Sequence, residues 1–218
     1  MVCRIALLHT ADSNVAVFET SHDELGLGTD VVLRHEVRSD LLADAEKAGG
    51  LTPEIIKRTQ GALLALRGGA DAVVLTCSTL GPSVSGVVKD AVTVPMLRVD
   101  EALAREAVRK GGKVVALCAV ETTVQPTRAL FEEAAQKTGA EVEVRLVSGA
   151  WAAFKGGDRD RYLALVAEAA DEAVREGASL VALAQASIAG AARLTHEGSP
   201  PLTSSIVGLR AAVASTAL

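Results

Sequence analysis

Short apolar runs alternate along the chain with segments in which apolar residues recur every three or four positions. Residues 72–76 are apolar almost throughout, which is typical of a strand buried on both faces of a parallel sheet. The predicted strands span residues 3–8, 31–37, 72–76, 95–99, 113–117, 142–147 and 180–183. The predicted helices span residues 52–67, 101–110, 127–137, 161–176 and 206–214. This alternation predicts βαβ units and therefore an α/β fold with parallel sheets.

Two of the predicted helices begin with a recognisable cap. Thr52 precedes Pro53 and Glu54, so its side chain can accept an N–H group of the first turn, where proline is tolerated and an acid is favourable. Asp158 follows two glycines and is the expected cap of the helix near residue 161.

The two halves of the chain resemble each other. Residues 69–81 (GADAVVLTCSTLG) align with residues 177–189 (GASLVALAQASIA) at an offset of 108 residues. Residues 4–15 (RIALLHTADSNV) align with residues 113–124 (KVVALCAVETTV) at an offset of 109 residues. Two separate segments that agree on nearly the same offset indicate an internal duplication. We therefore expect two similar α/β halves.

The aligned segments end in loops that carry small polar residues. Ligands bind beyond the carboxyl ends of parallel strands, so a duplicated fold is expected to bring these loops to one pocket. The loops are Asp12-Ser13-Asn14, Cys77-Ser78-Thr79, Glu121-Thr122-Thr123 and Gln185-Ala186-Ser187. Their hydroxyls, amides and backbone N–H groups suit a carboxylate, which needs several donors and little bulk. The alternative is that the serines and threonines only cap the helices that follow.

Composition narrows the class of partner. Hydrophobic residues make up 49% of the chain and charged residues 22%, which favours a folded core over disorder. A net charge of −5 and an aromatic content of 2% argue against binding of nucleic acid. No apolar stretch approaches the ~20 residues that cross a bilayer, and the first residues do not resemble a signal peptide. The three cysteines are widely spaced and fit neither a disulfide framework nor a zinc site. We expect a cytoplasmic protein without nucleic-acid or membrane partners.

Cys77 carries the most reactive chemistry of the polar loops. It follows a predicted buried strand, and a thiol there, near a helix N-terminus, can have its pKa lowered below the ordinary value of about 8.5. The alternative is an inert cysteine that fills space in the core. Cys3, at the start of a strand, and Cys118 both fit the inert role, although Cys118 ends a strand and could approach the pocket.

The duplication, the sequence LTCSTLGP at residues 75–82 and the pairing of DSN (12–14) with ETT (121–123) resemble the aspartate/glutamate/hydantoin racemase superfamily. The resemblance covers nearly the whole chain and implies two pseudo-symmetric parallel-sheet domains with an active-site cleft between them. It places the first domain at residues 1–98 with a terminal helix at about 205–218 that crosses back, and the second at 99–204. It also implies a homodimer that acts on a small carboxylate without a cofactor or a metal. Two cysteines on opposite faces of the substrate would exchange the proton next to the carboxylate.

Carried over by motif, the resemblance makes Cys77 the catalytic cysteine of the first half. The implied supporting residues are Ser13, Asn14, Ser78, Thr79, Thr122, Thr123 and Ser187 for substrate binding and Asp12 for orienting the thiol or relaying its proton. In the second half, Gln185 stands where the family has its second cysteine. An amide cannot carry a proton at neutral pH, so Gln185 can orient a substrate but cannot serve as the second base.

The predicted function is therefore a cofactor-independent isomerase of the racemase type that acts on an amino acid or dicarboxylate-like substrate through Cys77. Two-base racemisation lacks its second base unless a histidine replaces it. The candidates are His9, His22, His35 and His196, and His9, which ends the first strand, is expected to lie nearest the pocket. With one thiol, a decarboxylase or a cis–trans isomerase of the same superfamily is an alternative. A protein that binds a small carboxylate without turnover is another.

Overall fold

The computed structural model describes residues 2–87 and 94–216. The chain divides into two compact units. The first unit is Met1–Ala102 together with Ser205–Leu218, and the second is Leu103–Ser204.

The strands of the described residues form two four-stranded sheets, one in each half of the chain. They are β1 (Cys3–His9), β2 (Val31–Val37), β3 (Ala72–Leu75), β4 (Met96–Arg98), β5 (Lys113–Cys118), β6 (Glu141–Leu146), β7 (Leu180–Leu183) and β8 (Leu202–Thr203). The strand orders are β2-β1-β3-β4 and β6-β5-β7-β8, and neighbouring strands are parallel. The predicted α/β class is confirmed, and the matching strand orders agree with the duplication seen in the sequence.

Helices connect the strands. They are α1 (Ser13–Glu24), α2 (Ser39–Ala48), α3 (Pro53–Ala65), α4 (Val99–Val108), α5 (Glu121–Ala135), α6 (Ala150–Lys155), α7 (Arg159–Arg175) and α8 (Ser204–Thr216). Short 3-10 helices lie at Gly28–Asp30, Gly81–Gly86 and Ala186–Arg193. No helix in residues 2–87 and 94–216 is both long enough and apolar enough to cross a membrane.

Both predicted helix caps are confirmed. The side chain of Thr52 accepts a hydrogen bond from the N–H of Ile55 at 3.3 Å, at the start of α3. The carboxylate of Asp158 accepts from the N–H of Arg161 at 3.0 Å, at the start of α7.

Helix α5 begins at Glu121, six residues before the predicted start at residue 127, so that boundary is wrong. The helix contains Pro126, which lacks an N–H and removes one hydrogen bond. Its buried residues recur every four positions: Thr123, Thr127, Phe131 and Ala135. Burial of this face stabilises the helix across the proline.

The core of the first unit lies between β1 and β3 and helices α2 and α3. Ala6, Leu8, Val73 and Leu75 point to this side of the sheet and form one apolar cluster. Cys77 belongs to the same cluster, since it continues the alternation of β3 beyond the strand. The apolar packing thus fixes the direction in which the chain leaves β3.

Helix α8 belongs to the first unit. The Ser21 hydroxyl donates to the Ser205 hydroxyl at 2.9 Å, which joins α1 to α8. Gly208 allows α8 to approach the start of α4, because a Cβ at Gly208 would lie 2.5 Å from a methyl carbon of Val99. Such an approach is possible only without a side chain at position 208.

The core of the second unit surrounds Tyr162 of α7, whose side chain is fully buried. The Phe154 ring lies 5.0 Å from the Tyr162 ring, and Trp151 stacks on Phe154 with ring centroids 4.8 Å apart. These three aromatic residues join α6 and α7.

Candidate active site

The thiol of Cys77 lies at the carboxyl edge of the first sheet, just beyond β3. The Cys77 sulfur is hydrogen-bonded to the side chain of Thr10, the first residue after β1. It is also hydrogen-bonded to the backbone N–H groups of Thr79 and Leu80 in the turn that follows. Cys77 is 9% exposed. Three groups from two neighbouring strand ends therefore hold the sulfur.

The surroundings of Cys77 favour its protonated form. Burial raises the pKa of the thiol above its ordinary value, and the negative charge of Asp100 raises it further. The hydrogen bonds from Thr10, Leu80 and Thr79 act in the opposite direction but do not cancel the effect of burial. The sequence-based expectation of a lowered pKa is therefore wrong, and the thiol is protonated at neutral pH.

Asp100 and Arg98 form a buried ion pair on the same edge of the sheet. The Arg98 guanidinium donates to both carboxylate oxygens of Asp100, at 3.0 Å from Nε and 2.7 Å from Nη2. Asp100 is 2% exposed and also accepts from the N–H of Glu101 at 3.0 Å. A Cβ at Gly81 would overlap the Arg98 guanidinium. The turn after Cys77 therefore packs against this ion pair.

The predicted loop Asp12-Ser13-Asn14 is instead the start of a helix, since α1 begins at Ser13. This helix start follows Thr10 at the carboxyl end of β1, next to β3. Asp12 is exposed at the cap position, where its side chain accepts no capping hydrogen bond. The oxygens Ser13 Oγ and Asn14 Oδ1 are buried and have no hydrogen-bond partner in the described part of the chain. Such atoms cost about 1–3 kcal/mol each when they stay unsatisfied, so their position favours a polar ligand.

Ser78 and Thr79 form the turn that follows Cys77, and both side chains are buried. Thr79 contributes its backbone N–H to the sulfur, a role that depends on the turn and not on the side chain.

The side chain of Gln185 is held inside the second unit. Gln185 follows β7, and its Oε1 accepts hydrogen bonds from the N–H groups of Ala119 at 2.5 Å and Val120 at 3.2 Å. Val120 has the cap position of α5, and no side-chain cap is present there in the described structure. Gln185 therefore supplies the acceptor for the turn between β5 and α5.

The other predicted binding residues of the second unit are partly engaged in internal contacts. Thr122 and Thr123 lie in the first turn of α5 and not in a loop, which corrects the expectation. The buried Thr123 hydroxyl donates to the carbonyl of Val120 at 2.5 Å. The Ser187 hydroxyl lies 2.8 Å from the phenol oxygen of Tyr162, also buried.

Cys118 and His9 are the last residues of β5 and β1, the strands that the internal duplication aligns, and His9 is the predicted replacement for the second base. Cys118 is fully buried at the end of β5, and its sulfur donates to the Thr127 hydroxyl at 3.6 Å. His9 is fully buried, and both of its ring nitrogens are hydrogen-bonded, to Thr76 and to His35. Burial, together with the charge of His35, lowers the pKa of His9 to about 3, which makes it a weak base at neutral pH.

Sequence reasoning identified the strand ends but missed two groups that act on the thiol. Thr10 precedes the predicted loop by two residues. The sequence indicates it only through its position directly after a buried strand. Asp100 gave a weaker signal, since it precedes Glu101 at the start of a predicted helix and lies in the first turn of α4, where an acid is favourable.

The profile of the Asp/Glu/Hydantoin racemase family matches residues 40–216 of the chain. No curated protein matches the chain.

Several solved structures share its fold. The chain is similar to an aspartate racemase homologue from Pyrococcus horikoshii, with 16% identity, a TM-score of 0.68 and coverage of 99% of both chains. It is similar to the aspartate racemase of Picrophilus torridus, with 12% identity, a TM-score of 0.71 and coverage of 98% of this chain and 94% of that one. It is also similar to the allantoin racemase of Pseudomonas fluorescens, with 17% identity, a TM-score of 0.60 and coverage of 97% and 89%.

The family match begins within α2 and runs to α8, so it includes β3 and β4 of the first sheet and all of the second sheet. The fold of the racemases extends over almost the entire chain. The chain belongs to the Asp/Glu/hydantoin racemase family.

Proposed function

We propose that this protein is a cofactor-independent enzyme that transfers a proton at the carbon next to a carboxylate, with Cys77 as the catalytic residue. The observation that carries the proposal is the environment of the Cys77 sulfur, which is hydrogen-bonded to Thr10 and to the N–H groups of Thr79 and Leu80. The unpartnered oxygens of Ser13 and Asn14 at the same sheet edge support a small polar substrate.

The chemistry follows from the state of the thiol. A protonated thiol gives its proton to a carbanion or enediolate carbon, and the electron pair of the S–H bond stays on sulfur. The resulting thiolate is stabilised by the hydrogen bonds from Thr10, Thr79 and Leu80. Proton removal by the same group requires the thiolate, which the raised pKa makes scarce at neutral pH. Cys77 is therefore better suited to give a proton than to take one.

This property favours one alternative, decarboxylation of a malonate-type acid. In that reaction the C–C bond breaks, carbon dioxide leaves, and the electron pair remains on the carbon that then takes the Cys77 proton. A single donor completes this sequence, and solvent returns a proton to the thiolate. Gln185, whose amide oxygen is already bound by Ala119 and Val120, would take no part in proton transfer.

The test is an incubation of small carboxylic acids in deuterated water, followed by NMR for exchange of the proton next to the carboxylate, for decarboxylation and for isomerisation. We expect one acid to react, and Cys77→Ala to abolish the reaction while ligand affinity stays within about tenfold. Cys3→Ala is the matched control, because Cys3 lies at the opposite end of β1, and it should react at the wild-type rate. Full turnover by Cys77→Ala would show that Cys77 is not catalytic.

A second variant tests the role of position 185. Gln185→Cys adds a thiol where the family resemblance places the second base, and we expect it to create or raise deuterium exchange at the reacting carbon. Binding of acids by a chain that turns over none of them would instead favour a carboxylate-binding protein.

A further inference from the structure

Three polar side chains lie side by side on neighbouring strands of the first sheet, on the side that faces α1. His35 comes from β2, His9 ends β1 and Thr76 follows β3. His9 Nε2 lies 2.8 Å from His35 Nδ1, and His9 Nδ1 lies 2.8 Å from the Thr76 hydroxyl. The row begins at the exposed carboxylate of Glu19 in α1, which lies 2.9 Å from His35 Nε2.

The hydrogen bonds of this row determine where the protons are. The Thr76 hydroxyl donates its one proton to the carbonyl of Leu8 at 3.0 Å, so it must accept from His9. His9 therefore carries its proton on Nδ1. Neutral His9 then accepts at Nε2, so His35 donates from Nδ1.

His35 also has a carboxylate acceptor at its second nitrogen. The Glu19 carboxylate can only accept, so His35 Nε2 donates to it. Burial contributes most to the lowered pKa of His9, and the interaction with His35 adds to it. The row thus connects the Glu19 carboxylate through His35 and a neutral His9 to Thr76.

Thr76 links this row to the thiol, because it directly precedes Cys77. Its N–H and its hydroxyl both donate to the Leu8 carbonyl, at 3.1 Å and 3.0 Å. Thr76 is thereby held against the end of β1, and the next side chain reaches Thr10 on the other side of the sheet. The orientation of the Thr76 hydroxyl depends on the N–H that His9 offers it.

We propose that His9 is a positioning residue for Cys77: its Nδ1–H holds Thr76 and thereby fixes the turn that carries the thiol. The importance of this role for catalysis rests on the proposed function, but the positioning can be measured without any substrate. A role in positioning and a role as a space-filling core residue predict opposite behaviour for two substitutions.

His9→Asn and His9→Leu are the discriminating variants. Asparagine places an amide N–H close to the position of Nδ1 and keeps the donor to Thr76, although it fills less space. Leucine fills more of the space but has no donor. A positioning role predicts that Asn preserves the environment of Cys77 and Leu disturbs it, whereas a space-filling role predicts the reverse.

The readout is alkylation of Cys77 by iodoacetamide in the full-length protein, followed by mass spectrometry of the peptide that contains residue 77. We expect His9→Leu to alkylate at least about fivefold faster than wild type, since a displaced turn exposes the sulfur. His9→Asn should stay within about twofold, as should the control His196→Leu, because His196 is exposed in the other unit. A wild-type rate in His9→Leu, or a rate in His9→Asn equal to that of His9→Leu, would overturn the proposal.

A measurement on the wild-type protein covers the case in which His9→Leu does not fold. Long-range ¹H–¹⁵N NMR at about pH 7 should show His9 as a neutral ring with its proton on Nδ1. A proton on Nε2 would contradict the hydrogen-bond row. Neither experiment uses turnover, so an inactive protein would refute the proposed function while leaving the positioning role of His9 measurable.

Discussion

The ion pair of Arg98 and Asp100 leads to a sharp prediction for the region around the thiol. Replacement of Arg98 by Met keeps most of the side-chain volume but leaves the Asp100 carboxylate, 2% exposed, without its cation. Removal of one partner of a buried pair costs about 3–5 kcal/mol, which is a large share of the ~5–15 kcal/mol stability of a typical protein. We therefore expect the free energy of unfolding to fall by about 3–5 kcal/mol in Arg98→Met.

The double variant Arg98→Met/Asp100→Asn tests the reason for this loss. Asn removes the buried charge but keeps an acceptor for the N–H of Glu101, which Asp100 provides at 3.0 Å. We expect the double variant to be more stable than Arg98→Met alone, because the uncompensated charge is gone.

Urea denaturation followed by far-ultraviolet circular dichroism measures these differences. The matched control is Arg109→Met, because Arg109 pairs with Glu106 at the surface and is largely exposed. We expect little change in the control, since exposed ion pairs contribute little. If Arg98→Met unfolded at the same urea concentration as Arg109→Met, the argument that Asp100 is a desolvated charge would be refuted.

Three further predictions concern other contacts. Gln185→Leu should lower the free energy of unfolding, measured in urea, by about 1–3 kcal/mol, because two N–H groups lose their acceptor. Gln185→Glu keeps an acceptor and should stay close to wild type. Equal stability of the two variants would contradict this reasoning. Gly208→Ala should lower the melting temperature, since its Cβ would lie 2.5 Å from Val99. The control Gly61→Ala lies in open space within α3, and its free energy of unfolding should rise by about 0.5–1 kcal/mol. A stabilised Gly208→Ala would refute the close approach of α8. Tyr162 is the one tyrosine of the chain, and burial raises its pKa to about 12. The phenolate absorbance should therefore reach its titration midpoint near pH 12 in the folded protein and at about pH 10 in the urea-unfolded protein. A folded-state midpoint near the unfolded one would contradict the burial of Tyr162.

The strands were the most predictable elements. Continuous apolar runs identify a strand covered on both faces, and β2 and β7 have the predicted bounds. The helix α1 gave no such signal, because two of its three buried residues, Asn14 and Ser21, are polar. Ser21 is buried through its hydrogen bond to Ser205 of another helix. A helix face that is buried in this way does not show apolar residues at a helical spacing in the sequence.

The candidate site divides in the same way. The position of Cys77 after a buried strand follows from the sequence, but its pKa depends on neighbours that are distant in the chain. Thr10 and Asp100 lie 67 and 23 residues away from it, and only the parallel pairing of β1, β3 and β4 brings their strand ends together. Burial dominates over the hydrogen bonds at the sulfur, and a sequence pattern does not reveal that balance.

Glutamine and cysteine at position 185 differ in hydrogen bonding as well as in acidity, because Gln185 accepts hydrogen bonds from Ala119 and Val120. A thiol at position 185 is a poor hydrogen-bond acceptor, so both N–H groups would lack an acceptor within the protein. A carboxylate ligand could provide that oxygen, and binding would then raise the melting temperature more than it does with glutamine. With glutamine at this position, the protein satisfies both N–H groups without a ligand. With cysteine, the stability of the folded protein would depend more strongly on a bound ligand.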